Sequence, residues 1–551
     1  MRLTQLGLTV LIAGLILLLK GSSPLVAAAA TKTQNNALGQ ATEPQSTRDA
    51  PPDTSPYWRP ALPGDYAPKR IRPIPLVPGV FIVDTVVNNT DPNLTNTDTF
   101  NDGETSITVN PANPDEIVVT AFSGSWGAHA PLWQSTDGGH IWTKRFTIPA
   151  PPGIAATGCP CDQTIDYGTA NQMAATFLIN DIFSGITTNP ASPVAWNWLV
   201  IGGGTQATNF NNSPPPGGVD QPWLLVNTDP MIPTQDNVYD AYDDFTNGNN
   251  CVGDACIERV AVSYGVNPPN FTVDNQSGTA TGSINPGHRL AIDPRNGSIY
   301  SLFQRNIAPG AGGSKNIDYM LNRSTDGGAT WTLNGMTGGI IVANGDSTQP
   351  TPKFGTVNAL LGGVDHAAVD PNNGDVYYVY GSRDAATGND RLAIRRIQDN
   401  GRGGVTVGPE HFVTGQVEAA IPSVAVTSDG TVGVFYYTFD GFSQDNLPIF
   451  SAHLAQSRDQ GVTFNHQTLL TFLSSAADNG NSRQRVLGDY MQMKAVVGCF
   501  YGAFTGNGVP FGRPFANHDP IFFRVCAVAP PRPTPTPRSR PTPAPRPTPP
   551  R

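Results

Sequence analysis

The chain has 551 residues, of which 58 are glycine and 52 are proline, and its formal net charge is −10. This acidic balance excludes a nucleic-acid partner, because nucleic-acid-binding surfaces concentrate lysine and arginine. Only 14% of the residues are charged and 38% are hydrophobic, which with so much glycine and proline favours short strands and tight turns over long helices. We therefore expect an all-β protein.

Residues 1–30 have the layout of a secretory signal peptide. Arg2 precedes an apolar run from Leu6 to Leu19, and small residues follow as far as Ala30. The run is short for a spanning helix, and an uncleaved anchor is the alternative. Cleavage before Thr31 gives a secreted or cell-surface protein with no membrane insertion afterwards.

Two further segments lack the pattern of a folded domain. Residues 31–79 are rich in Pro, Thr and Asn without periodicity, which predicts a disordered leader. Residues 529–551 repeat Pro, Thr and Arg, which predicts an extended tail of the polyproline II type, either a cell-surface spacer or a plain disordered end. The folded domain is therefore expected over residues 80–528.

Seven phrases within that domain each read as strand, turn and strand. Their turns carry Asn-Gly, Asp-Gly or Asn-Pro pairs, and their second strands are aromatic and β-branched. The phrases begin at Glu104, Asp162, Asp220, His288, Asp365, Ile421 and Gly488. Seven radial units of four strands match this count, so we predict a β-propeller of seven four-stranded blades, with six blades as the alternative.

The pattern Ser-x-Asp-x-Gly-x-x-Trp/Phe occurs three times, late in its unit each time, which places it between the third and fourth strands of a blade. The copies are Ser135, Asp137, Gly139 and Trp142; Ser324, Asp326, Gly328 and Trp331; and Ser457, Asp459, Gly461 and Phe464, with a decayed fourth copy at Asp399. Ser and Asp side chains accept main-chain N–H groups, glycine supplies positive φ and the aromatic ring packs inward. We therefore interpret these residues as structural.

The pattern resembles the Asp-box, or bacterial neuraminidase repeat, of the sialidase-like β-propeller superfamily. The resemblance extends over about Val80 to Val528 as architecture. It implies sialidase chemistry: a tyrosine nucleophile activated by a glutamate, an aspartic acid as acid/base, and three arginines that bind a sugar carboxylate. An exo-glycosidase acting on an extracellular glycan or glycoprotein is therefore expected. The early arginine phrase of sialidases, Phe/Tyr-Arg-Ile-Pro, is matched poorly by Arg70-Ile71.

The first strand of every propeller blade lines the central channel, so side chains at the unit starts are expected to converge around one mouth. The candidate catalytic residues are Asp220, Tyr490 and Glu258. The candidate substrate-binding residues are Glu104, Asp162, His288, Arg289, Asp365, His366, Arg383, Arg485 and Asp489. Converging carboxylates could bind Ca²⁺, hold sugar hydroxyls or supply an acid, or they could cap strand ends and join blades. No cofactor is required by any of these roles.

Six cysteines, an even number, fit an oxidising compartment. We favour the local pairs Cys159–Cys161, Cys251–Cys256 and Cys499–Cys526, with zinc as the competing interpretation of the two close pairs. The protein is expected to be a monomer.

Three functions stay open for such a propeller: an exo-glycosidase, a non-catalytic module that binds carbohydrate or a surface protein, and a structural surface module. The ring of acids with His288, Arg289 and His366 favours the first function. The missing arginine phrase favours the second.

Overall fold

A computed structural model describes residues 79–86, 89, 102–122, 131–143, 146–154, 161–179, 181–199, 219–244, 255–281, 288–309, 315–347, 365–400, 403–474, 487–512 and 518–526. These residues form 28 strands and no α-helix, with short 3-10 segments at Pro193–Ala195 and Val509–Phe511. No helix among them could cross a membrane. The predicted signal peptide, nearly all of the leader and the proline-rich tail lie outside the described residues.

The strands divide into seven antiparallel sheets of four. Strand β1 (Val80–Asp84) opens the fold. Blades 1 to 3 consist of β2 (Gly103–Val109), β3 (Ile117–Phe122), β4 (Pro131–Ser135) and β5 (Phe146–Thr147); β6 (Cys161–Tyr167), β7 (Met173–Ile179), β8 (Asp181–Thr187) and β9 (Trp196–Trp198); and β10 (Val219–Thr228), β11 (Asp236–Asp244), β12 (Ala255–Tyr264) and β13 (Phe271–Thr281).

Blades 4 to 6 repeat this order. They consist of β14 (Arg289–Ile292), β15 (Ile299–Pro309), β16 (Lys315–Ser324) and β17 (Ile340–Ser347); β18 (Asp365–Val369), β19 (Val376–Arg383), β20 (Asp390–Asp399) and β21 (Val405–Phe412); and β22 (Ala419–Val426), β23 (Val432–Phe442), β24 (Pro448–Ser457) and β25 (Asn465–Leu473). One parallel bridge, between Thr281 and Arg305, links blade 3 to blade 4.

Blade 7 closes the ring with strands from both ends of the fold. It contains β26 (Gln492–Val496), β27 (Cys499–Asn507) and β28 (His518–Cys526), and β1 pairs with β28 as its outermost strand. The Cys499–Cys526 disulfide joins β27 to β28, as predicted. The prediction of seven blades is confirmed and the six-bladed alternative is wrong, because β1 completes a seventh blade. The side chains of the other four cysteines lie outside the described residues.

The first strands of consecutive blades contact one another all the way round, so they enclose the central channel. The hydrophobic core is divided among the interfaces between blades. Between blades 4 and 5, for example, Tyr300 and Tyr319 pack with Tyr378 and Tyr380. This arrangement suits a repeat protein, in which each unit buries one face against its neighbour.

The three Ser-x-Asp turns lie between the third and fourth strands of blades 1, 4 and 6, and their hydrogen bonds are the same. In blade 1, Ser135 Oγ accepts the Gly139 N–H at 2.9 Å and donates to Asp137 Oδ1 at 2.8 Å, and Asp137 Oδ1 accepts the Ile141 N–H at 2.9 Å. Corresponding bonds form around Ser324 and Ser457. Each turn is thus held by its own side chains.

The same turns fasten each blade to the one before it. Arg524 of blade 7 donates to the Gly138 carbonyl at 3.0 Å, and Tyr264 of blade 3 donates to the Gly327 carbonyl at 2.5 Å. In blade 6, Gln460 occupies the matching position and accepts from Arg396 of blade 5. Side chains of the preceding blade therefore bind every copy of the turn.

Candidate functional site

The first strands of four blades begin with a β-bulge, and one residue of each bulge has positive φ without being glycine. These residues are Glu104 (φ 49°), Asp162 (φ 47°), Gln221 (φ 54°) and Ile421 (φ 55°). Such conformations cost roughly 1–3 kcal/mol each and cluster at functional sites. All four lie at the end of the channel where the first strands start, which we call the blade-start end.

A row of three carboxyl groups crosses blade 3 at this end. In the strand register Asp220 on β10 is opposite Asp243 on β11, and Asp243 is opposite Glu258 on β12. Asp243 and Glu258 are fully buried, and Asp220 is 5% exposed. The sequence predicted Asp220 and Glu258 as site residues, and Asp243 joins them.

Burial makes ionisation of these groups unfavourable. Desolvation raises the pKa of Asp243 to about 6. It raises the pKa of Glu258 well above its ordinary value, and the negative charge of Asp243 raises it further. The pair therefore retains a proton more readily than exposed carboxyl groups do.

His288 lies directly before β14 and contacts the same pair from blade 4. Its Nδ1 is 3.4 Å from Oε2 of Glu258 and 3.4 Å from the Tyr242 carbonyl oxygen. Its Nε2 is 2.7 Å from Oγ of Ser301. Burial lowers the pKa of His288 to about 3, so the imidazole is neutral at physiological pH.

Arg289 is the buried cation of the site, with 1% of its surface exposed. Its guanidinium donates to the His288 carbonyl at 3.0 Å and to Oε1 of Gln221 at 3.4 Å. The guanidinium carbon lies 4.4 Å from the Trp223 ring centroid and 5.5 Å from that of Tyr490. Two aromatic rings and a main-chain carbonyl therefore hold the cation.

Other predicted site residues join neighbouring blades. Asp365 accepts from Gln304 of blade 4 at 2.5 Å and from Tyr378 of its own blade at 2.8 Å, and burial raises its pKa to about 6. Oε1 of Glu104 accepts the main-chain N–H of Asp489 at 3.1 Å. These contacts match the alternative in which unit-start carboxyl groups join blades.

His366 and Asp162 also lie at this end of the channel. His366 Nδ1 accepts the Val424 N–H at 3.2 Å, and burial lowers its pKa to about 3. Its ring is 5.4 Å from that of Trp223. Asp162 is 2% exposed and close enough to Arg289 for their charges to interact.

The remaining predicted residues are not brought to the row of carboxyl groups. The Tyr490 hydroxyl donates to the main-chain carbonyl of Gln163 at 3.2 Å. Arg383 ends β19 at the outer part of the blade-start face, where its charge interacts with Glu418. Arg485 lies outside the described residues.

Sequence reasoning missed Asp243, Trp223 and Gln221. Asp243 lies in the phrase YDAYDDF, where carboxylates are interspersed with the aromatic residues of a strand. A carboxylate in such a buried strand is unusual, and this was the sequence feature that could have identified Asp243. Trp223 and Gln221 follow Asp220 within the bulge, where no simple alternation tells which side chain faces inward.

A cavity of about 190 Å³ opens inside the channel beyond the Trp223 and His366 rings. Its walls are mostly apolar side chains of blades 3 to 7, with Gln492 and Lys494 as polar members. Lys494 forms a salt bridge with Asp166 at 3.1 Å. The Trp223 and His366 rings thus lie between the polar residues around Arg289 and an apolar part of the channel.

Three side chains of the cluster are placed to share a metal ion. Asp243, Glu258 and His288 each offer a ligand atom, and these atoms all lie within 4.8 Å of one another. Asp243 and Glu258 belong to blade 3, and His288 belongs to blade 4. Among the residues that the structure describes, these three form the group that could hold a cation.

No protein-family model and no curated protein matches the sequence. A protein of unknown function from Dyadobacter fermentans DSM 18053 is similar at 14% identity with a TM-score of 0.38, over 81% of this chain and 99% of that one. A polysaccharide lyase, an ulvan lyase, is similar at 12% identity with a TM-score of 0.33, over 73% and 91%. An α-L-arabinanase from Penicillium chrysogenum is similar at 12% identity with a TM-score of 0.32, over 57% and 94%. Likeness at this level assigns no family, so the function is argued from the site.

Proposed function

We propose that this protein is a non-catalytic, glycan-binding propeller of the extracellular space. The preference for glycans comes from the resemblance of the three Ser-x-Asp turns to the Asp-box of sialidase-like propellers. The preference for binding over sialidase-type hydrolysis rests on one contact, in which the Tyr490 hydroxyl donates to the Gln163 carbonyl. A tyrosine nucleophile must give its proton to a base, and a carbonyl oxygen does not act as one.

The other expected catalytic groups have internal contacts as well. Glu258 faces Asp243 and His288, while the Tyr490 ring lies against Trp223, with 5.6 Å between ring centroids. The Arg289 guanidinium, expected to bind a sugar carboxylate, is buried with Trp223 and Gln221. These positions favour a module that recognises its ligand without cleaving it.

We place the glycan contact on the outer part of the blade-start face, at a group we call the blade 5–6 rim: Arg383, Arg391, Phe412, Glu418 and Phe442. The Phe412 and Phe442 rings are 43% and 50% exposed. The Arg391 guanidinium lies 3.7 Å from the Phe412 ring centroid. Exposed aromatic rings beside charged hydrogen-bonding groups suit a sugar, which has both an apolar face and hydroxyl groups.

One contact joins the two blades at the rim, because the Asp390 N–H of blade 5 donates to Oε2 of Glu418, directly before β22 of blade 6, at 3.3 Å. Arg391 forms a salt bridge with Asp384 at 3.0 Å, next to Arg383 in the chain. The Phe439 N–H donates to the Glu418 carbonyl at 3.1 Å, and the Phe439 and Phe442 ring centroids are 5.1 Å apart. The two arginines, the glutamate and the two rings therefore form one surface.

A glycan array probed with the purified chain tests this proposal. We expect selective binding that Phe412→Ala and Phe442→Ala each weaken by about ten-fold, the loss of roughly 1.4 kcal/mol of contact. Met231→Ala is the matched control, because Met231 is an exposed apolar residue (87%) in the turn between β10 and β11, at the opposite face. No binding, or equal binding by all variants, would overturn the proposal.

The second candidate is an exo-glycosidase, favoured by the row of carboxyl groups from Asp220 to Glu258 across three adjacent strands. Glycoside hydrolysis uses two carboxyl groups on either side of the bond that is cut. Release of the fluorophore from a fluorogenic sialoside or arabinoside, lost in Asp220→Ala, Arg289→Ala or Tyr490→Phe, would establish this function instead.

A further inference from the structure

We propose that Asp243, Glu258 and His288 bind one divalent cation of the Mn²⁺ or Zn²⁺ class at the blade-start end of the channel. This site is separate from the blade 5–6 rim and goes beyond the proposed glycan binding. Asp243 and Glu258 are paired across β11 and β12, and His288 approaches from the start of blade 4. All three side chains are fully buried.

Oxygen atoms contact both ring nitrogens of His288. Nε2 is 2.7 Å from Oγ of Ser301 and 3.4 Å from Oγ of Ser277, and these two hydroxyl oxygens are 2.8 Å apart. When Nε2–H donates to Ser301, Nδ1 carries the lone pair that a metal ion would bind.

Nδ1 of His288 faces two oxygen atoms. The Tyr242 carbonyl oxygen and Oε2 of Glu258 are each 3.4 Å away. A proton on Nδ1 or a cation satisfies these atoms in the buried site, and a metal ion would take the place of that proton. An imidazole whose other nitrogen donates to a neighbouring oxygen is also the usual arrangement of a histidine that binds metal.

The carboxyl oxygens point to the same conclusion. Apart from each other, Asp243 and Glu258 receive no hydrogen bond to any of their four carboxyl oxygens from the residues that the structure describes. Arg289 lies nearby, but its guanidinium bonds Gln221 and the His288 carbonyl. Two buried carboxyl groups without other donors are stabilised by the proton that they share or by a positive charge at their oxygens, which a divalent cation supplies.

The donor set indicates the kind of metal. One imidazole nitrogen, two carboxylates and the nearby Tyr242 carbonyl make a mixed nitrogen and oxygen site. Ca²⁺ and Mg²⁺ take oxygen ligands almost exclusively, whereas imidazole suits first-row transition metals and Zn²⁺. We therefore expect Mn²⁺ or Zn²⁺ to bind more tightly than Ca²⁺.

Metal analysis of the purified full-length chain tests this site. We expect plasma mass spectrometry, after chelation and dialysis against Mn²⁺, Zn²⁺ or Ca²⁺, to find about one Mn²⁺ or Zn²⁺ per chain, and the Tm to rise with the concentration of that metal. Glu258→Gln and His288→Gln should each weaken binding by at least about ten-fold. Glu410→Gln is the matched control, because it neutralises an exposed glutamate that belongs neither to the cluster nor to the rim.

Three results would overturn the proposal: wild-type protein that holds no metal and has an unchanged Tm, binding of Ca²⁺ alone, or full metal content in both ligand variants. The wild-type measurement decides even if a variant does not fold. Because it needs no sugar, its failure is distinguishable from a failure of the glycan array.

Discussion

Gly139 lies directly against the Phe522 ring of the neighbouring blade 7. A Cβ on Gly139 would be 2.2 Å from Cε1 of Phe522, and the backbone φ there is +92°. Glycine is thus required at this position of the Ser-x-Asp turn for two reasons: the backbone has positive φ, and the Phe522 ring leaves no space for a Cβ.

We predict that Gly139→Ala lowers the free energy of unfolding by about 3 kcal/mol, because strain at positive φ adds to overpacking. Gly498→Ala is the matched control, since Gly498 also has positive φ (75°) but has open space around it. Urea unfolding of both variants measures the difference. Equal losses would mean that the contact with Phe522 contributes nothing.

Ser324→Ala removes the acceptor of the Gly328 N–H, a bond of 2.8 Å. Because the Gly328 N–H is buried, leaving it without an acceptor should lower the free energy of unfolding by about 1–3 kcal/mol. The midpoint of thermal unfolding measures this, with the exposed Ser428→Ala as control. A Tm unchanged relative to that control would show that the turn does not depend on its serine.

The Cys499–Cys526 disulfide closes a loop with a sequence separation of 27. Its loss should lower the free energy of unfolding by about 3–4 kcal/mol, since the unfolded chain regains the entropy of that loop. The Cys499→Ser/Cys526→Ser double variant should unfold at a lower urea concentration than oxidised wild-type protein. A double variant as stable as oxidised wild type would contradict this role.

Glu418 of the rim makes stability depend on pH. Desolvation raises its pKa from 4.5 to about 7 in the folded protein. Between these values the folded chain keeps a proton that the unfolded chain loses, so its contribution to stability falls as pH rises from about 4.5 to 7. Glu418→Gln should remove this fall, so that the variant gains stability relative to wild type between pH 4 and pH 8. Parallel Tm curves for the two proteins over that range would contradict the assignment.

The blade pattern could be predicted because it is local. Asp365 is the first residue of β18 and His288 directly precedes β14, as their phrases predict. Turn residues and the alternation of apolar and polar residues along a strand depend on only a few neighbouring positions. The start of each blade can therefore be recognised from its own segment of sequence. The closure by β1 could not be predicted, because Val83 pairs with Phe522 at the other end of the fold.

The site could be predicted only in part. The phrase starts placed Asp220 and Arg289 at one end of the channel, where the structure has them. Asp243 lies on a second strand, and only its cross-strand partner Glu258 gives it a role in the site. The contact between Tyr490 and the Gln163 carbonyl joins residues far apart in the chain, so no sequence pattern reports it.

Mass spectrometry of a bound glycan tests the central claim most directly. A glycan selected on the array would be incubated with a stoichiometric amount of the purified chain for a day, with binding followed by calorimetry. We predict saturable binding and a glycan of unchanged mass. Shorter fragments that depend on the protein and disappear in Tyr490→Phe or Asp220→Ala would contradict the claim and establish a hydrolase.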